Sequence, residues 1–368
     1  MLALRLARGS GPLVLLRRLL VTAASAGAGL LLLGVLGHAV GHPGHRTGSA
    51  LRLLWCLIPL AATVRFAAAV ARTDPSIRPS PGATAAGLGP AGRAVLSAVS
   101  AALTCALGSA LALLLFTRLR DGSGARLPGA GSPLPMPAAL LLLASAPVAA
   151  AVSSAWAVRR RRPVREGAAP NGLALGVALV TAGLAAEAYA SGRPGGATLP
   201  VPGRFGDSPA AVVAGWALAT LGLAVSGPAL TQLCGRVLQS VRPGAVRLLA
   251  GRVLQAEAGR IGRPLGVCCA VVSGIVAAAA PHASGARLTG PLTALGAALV
   301  VVCSAATLLS AAVEARQDRA ATSAALVRAF APARLLRSAA VLRVAALLAL
   351  FTPVTWTVAV LAATPLAR

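Results

Sequence analysis

The sequence predicts an all-α fold: a polytopic transmembrane helical bundle of about nine spans. Three observations carry the prediction. The 368 residues are 57% hydrophobic and only 11% charged, where a soluble domain carries about 25% charged residues. Apolar runs repeatedly reach the ~20 residues that a hydrocarbon core demands, and mean hydropathy is +0.80. These runs do not alternate apolar with polar positions, as the strands of a transmembrane barrel must.

In chain order, Met1–Arg18 is a basic, amphipathic lead-in, with Arg5, Arg8, Arg17 and Arg18. The apolar run behind it, Leu19–Val40, is too long for the core of a signal peptide and forms the first span. Leu51–Val70 is the second. Asp74-Pro75 then reads as a helix cap and first turn, and Pro79, Pro81 and Gly82 interrupt any long helix before Arg93. Ala94–Phe116 and Pro135–Val158 are the third and fourth spans, and the fourth stops at four consecutive arginines, Arg159–Arg162, a cytoplasmic flag.

Gly172–Tyr189 and Ser208–Leu230 follow as spans five and six. Cys234–Arg263 is basic with helical periodicity. Val246, Leu249, Val253 and Ala256 share one face of it, and a surface-lying amphipathic helix is expected there. Leu265–Ala280, Leu292–Val313 and Val341–Leu361 complete the set, with Pro353 as an expected kink. Small residues crowd the spans, as in Ala23–Gly29, and allow close helix approach. With the N-terminus inside, most of the 34 basic residues, every one an arginine, fall on the cytoplasmic side.

Composition also excludes function classes. A net charge of +26 would suit nucleic acid, but aromatics are 3% and the arginines lie between apolar runs, so no nucleic-acid partner is expected. Lysine is absent, and without it no ordinary phosphate-binding loop for ATP can be built. The six cysteines are scattered through apolar runs, with neither disulfide nor zinc spacing. His38, His42 and His45 are separated by helix breakers and read as a hydrated loop rather than a metal site. Glu187 is the one acid within a span, close to its outer end, where hydration at the interface is expected. No catalytic constellation stands out, so neither an enzyme nor a cofactor is expected.

The most informative feature is a weak internal repeat. Ala71-Arg72-Thr73-Asp74 matches Ala315-Arg316-Gln317-Asp318, each placed where the chain leaves an apolar run. Pro90 matches Pro332, each followed by an Ala-rich span. The lead-ins echo one another too, Leu4-Arg5-Leu6-Ala7-Arg8 against Arg247-Leu248-Leu249-Ala250-Gly251-Arg252. Three segments result: a first transmembrane half over 1–158, two linking spans over 159–233, and a second half with its lead-in over 234–368.

At these residues the chain resembles the FtsX-like family of ABC-transporter permeases in its long, duplicated form. The family's cytoplasmic element runs into Leu-Arg-Ala-x-Gly. Here Val327-Arg328-Ala329-Phe330-Ala331 keeps the Arg-Ala pair, and Ala85-Ala86-Gly87-Leu88-Gly89 keeps the final glycine. The resemblance implies coupling helices seated in the grooves of a separately encoded ATPase dimer, which would tilt the spans when it closes on ATP. It assigns the contacts to Arg72, Asp74, Gly89 and Pro90 in the first copy, and to Glu314, Arg316, Asp318, Arg328 and Pro332 in the second. Long members carry a sizeable extracellular domain where Pro281–Pro291 here leaves room only for a turn. That points to export of a lipid or hydrophobic peptide, or to mechanotransmission. Membrane lipids are the other partner expected, self-association is left open, and the rival reading is a membrane scaffold or regulatory protein without an ATPase. All-Arg basicity with heavy Ala, Gly and Pro use suggests the plasma membrane of a bacterium with a GC-rich genome.

Overall fold

The computed structural model describes residues 12–41, 46–73, 90–121, 135–159, 171–191, 198–200, 207–240, 244–279, 291–319 and 333–363. Among them are nine helices long and apolar enough to cross a membrane, as a multi-pass membrane protein requires. They are α1 (Pro12–Gly41), α2 (Arg46–Thr73), α3 (Pro90–Asp121), α4 (Met136–Arg159) and α5 (Asn171–Ser191), followed by α6 (Ala210–Ser240), α7 (Ala245–Ala279), α8 (Pro291–Asp318) and α9 (Ala333–Ala363). Between α5 and α6 the segments Thr198–Pro200 and Asp207–Pro209 pair as a minimal two-stranded ladder. Prolines lie inside α2, α4, α6, α7 and α9 (Pro59, Pro147, Pro228, Pro264 and Pro353), tolerated as they are in membrane helices.

The chain divides into two compact units. The first gathers residues 1–161, 200–206 and 289–307, and the second 162–199, 207–288 and 308–368.

In the first unit α1 is the central helix, packed against α2, α3 and α4. Its small residues decide how close the neighbours come. A Cβ at Gly29 would stand 2.7 Å from Cβ of Ala112 on α3 and 3.0 Å from Leu143 on α4. Gly108 of α3 lies against the Thr22 carbonyl and Ser25 of α1. Around this contact Val21, Leu32, Leu33, Phe66 and Ala112 form the buried core. Leu292 and Leu299, from the first part of α8, cover Gly34 and Gly27. Pairings at a constant offset, Ser25 with Gly108 and Gly29 with Ala112, mean that α1 and α3 run parallel.

Hydroxyl groups link these helices. Ser25, fully buried, donates to the Cys105 carbonyl at 2.9 Å, and Ser109 donates to the Leu143 carbonyl at 3.2 Å. Such interhelical bonds in membranes average about 0.6 kcal/mol, with a ceiling of about 1.7. Ser25→Ala is accordingly expected to lower stability by about 0.5–1.5 kcal/mol. Reversible unfolding in mixed micelles measures it, and a loss well above that range would mean the hydroxyl holds more than this one bond.

The second unit is built on glycine. Gly176 and Gly183 of α5 face Gly222 and Gly215 of α6, and Gly227 and Gly235 of α6 face Gly262 and Gly251 of α7. Both sets of pairings run in opposite directions along the two chains, so α5 is antiparallel to α6, and α6 to α7. α9 packs on α7. There Glu257 lies near Arg343 and Cys269 bonds Thr355, again at a constant offset, so α7 and α9 are parallel.

Two expectations need correction. The basic segment 234–263 is not one surface-lying helix. Cys234 belongs to the last turns of α6, and 245–263 is the first part of α7, continuous through Pro264 to Ala279. Its buried stripe is Ala250, Leu254 and Ala258, continued by Gly262 and Gly266, while Val246, Leu249 and Val253 are only partly covered and Ala256 is exposed. Small residues take the packed face because they let two backbones touch, and lipid accepts the larger aliphatic side chains as readily as protein does. Glu187 is likewise not at a hydrated interface: it is 2% exposed, against α6.

Candidate functional site

The second copy of the repeated sequence pattern begins where α8 ends. Its apolar run passes into Glu314-Ala315-Arg316-Gln317-Asp318 without leaving the helix. The last carbonyls of a helix lack intrahelical partners. Here Arg319, the residue after the helix, turns back and donates from Nε to the Ala315 carbonyl at 3.0 Å. The cation also opposes the negative end of the helix dipole.

That same Nε lies 2.6 Å from Oε1 of Glu257, a carboxylate 12% exposed in the first part of α7. Arg343 of α9 and Arg260 of α7 add their positive charge around it. Arg343 is itself steadied by a bond from its Nε to the Ala339 carbonyl at 3.2 Å. One acid thus stands among three arginines drawn from α7, from α9 and from the end of α8. The short distance marks a charge-assisted contact, in which the single Nε hydrogen is shared between Glu257 and the Ala315 carbonyl. Mechanically, the exit of α8 is fastened to α7 beside the start of α9.

Of the residues assigned from the sequence, Glu314 is half-buried on α8, Arg316 is exposed, and Asp318 closes the helix. Arg72 is half-buried in the last turn of α2, and α3 begins at Pro90. Asp74, Gly89, Arg328 and Pro332 lie outside the described residues, as do His42 and His45. Among the described residues no group of three or more His, Cys, Asp or Glu could hold a metal ion.

No family model, curated protein or solved structure matches the chain. Its residues alone carry the functional reading.

Sequence reasoning missed Glu257, Arg319 and Arg343. A signal was present: Glu257 is the one acid between Asp207 and Glu314, in a stretch carrying many arginines. A solitary carboxylate among so many cations in an apolar protein has every reason to be paired. Which arginine it meets depends on helix packing, and the sequence pattern does not contain that.

Proposed function

We propose that the chain is the membrane-embedded permease subunit of an ABC-type transporter, moved by an ATPase dimer carried on a separate chain. The residues after α2 and after α8 are its coupling elements, and an internal repeat of an FtsX-like half underlies them. The observation that carries the reading is the Arg319–Glu257 link with Arg343 beside it. A coupling element must pass displacement to the spans behind it, and an ion-paired joint between the end of α8, α7 and α9 is built to do so. The repeat is supported by a shared pattern: the first and third helices of each half, α1 with α3 and α7 with α9, pack in parallel. The cargo that suits the apolar chain is a lipid or hydrophobic peptide, and the setting a bacterial plasma membrane.

The test is purification in mild detergent followed by ATP turnover. An ATPase chain is expected to co-purify, and reversing Arg316 and Asp318 together (R316E, D318R) is expected to cut turnover roughly tenfold. That fits coupling free energies of about 1–3 kcal/mol between sites. Unchanged turnover, or a chain that purifies alone, would favour a scaffold with no motor.

A further inference from the structure

Glu187 ends a stripe on α5 that begins at Gly176 and Gly183, the face turned to α6. The two backbones are close there. A Cβ at Gly215 would stand 2.6 Å from the Gly183 carbonyl, 2.8 Å from Cγ of Glu187 and 3.1 Å from its backbone nitrogen. The glutamate is consequently folded into the seam, 2% exposed, and both carboxyl oxygens are buried with no hydrogen-bond partner.

Among the described residues nothing that faces it supplies a counter-charge, and the strand Asp207–Pro209, which packs on α6, brings only a further acid. From Ala210 to Ser226 α6 carries no titratable residue, and α9, which also touches α5, carries none from Phe351 to Ala363. On α5 itself the other titratable group is Tyr189, 63% exposed on another face. An ionised carboxylate so placed would forfeit several kcal/mol of hydration with no partner to offset it. A hard metal cation does not fit either, because it takes at least about six oxygen ligands and this seam offers one carboxyl group.

We propose that Glu187 is a proton-binding site. Its carboxyl is held as the undissociated acid in the α5–α6 seam, and the proton exchanges with water only when the two helices part at that end. The site would report, or respond to, opening of the seam, and it stands independently of any ATPase.

Infrared spectroscopy of the full chain in lipid nanodiscs tests this. At neutral pH the wild type is expected to carry the carbonyl stretch of an undissociated acid, and Glu187→Gln to lack it while folding normally. Wild type grown with 13C-glutamate gives the same reading without a substitution, since the band must then shift. In heavy water the band should move slowly, at the rate of seam opening. If Glu187→Gln removes only ionised-carboxylate bands, or the 13C label shifts no acid carbonyl, the site does not hold a proton and the proposal fails.

Discussion

Replacing Gly262 with valine is expected to abolish folding of the second unit. A Cβ at this position would stand 2.6 Å from Cα of Pro228 and 2.8 Å from the Gly227 carbonyl. Both obstacles are backbone, so no side-chain rotation can relieve the clash, and α6 and α7 must separate. Overpacking a side chain into a filled interior typically costs about 1–3 kcal/mol, and alanine should fall at the upper end of that range. Valine adds two methyl groups to the same collision, within a total stability of about 5–15 kcal/mol. Gly266, whose Cβ would stand 2.5 Å from the Leu223 carbonyl, should behave similarly. Gly244 is the control, because a Cβ there meets nothing within 4 Å and Gly244→Ala should be nearly silent. Thermal unfolding with size-exclusion chromatography in detergent reads all four variants. A well-folded Gly262 valine variant would mean that the α6–α7 contact is looser than described.

The second large effect is expected at the ion-paired joint, and it is asymmetric. Glu257→Gln removes the one negative charge that Arg319, Arg343 and Arg260 share, leaving three cations to repel one another. Arg319→Gln leaves Glu257 with two arginines still beside it. Breaking a fully buried pair costs about 3–5 kcal/mol and an exposed one at most about 1. With Arg319 32% exposed and Glu257 12% exposed, Glu257→Gln should cost about 2–3 kcal/mol and Arg319→Gln about 1. Their double mutant should show a coupling of about 0.5–2 kcal/mol. Strict additivity would mean that the helices are not joined through this pair, and equal losses from the two single variants would mean that Arg343 and Arg260 do not share Glu257.

These two sites mark where reading the sequence succeeds and where it stops. Each of the nine spans was legible because crossing a membrane is a demand on length and hydropathy, and both are local. The run Ala23–Gly29 was legible as a contact for the same reason: a cluster of small residues has little use except close approach, and Gly29 meets Ala112 and Leu143. The face of α7 was misread because Val246, Leu249 and Val253 form a proper apolar stripe that in water would mark the core. In lipid the criterion reverses, and the small residues Ala250, Gly251, Ala258 and Gly262 mark the packed face instead. Glu187 was misread for a related reason. Its distance from the middle of its span suggested water, but exposure depends on Gly215 opposite, which no property of α5 reveals. At the end of α8 the polar helix end was legible as far as Asp318, and the tie from Arg319 to Glu257 was not, since that pairing joins residues far apart in the chain.

Coupling to one motor requires, above all, that the residues after α2 and after α8 reach the same compartment. Single cysteines introduced by Thr73→Cys and Gln317→Cys, with the six native cysteines replaced, can be probed with a membrane-impermeant maleimide. Both sites are expected to react in inverted vesicles, where the cytoplasmic face is outside, and to stay unlabelled in intact cells. Labelling of one site from each side would contradict the reading, because a single motor could not then grip both.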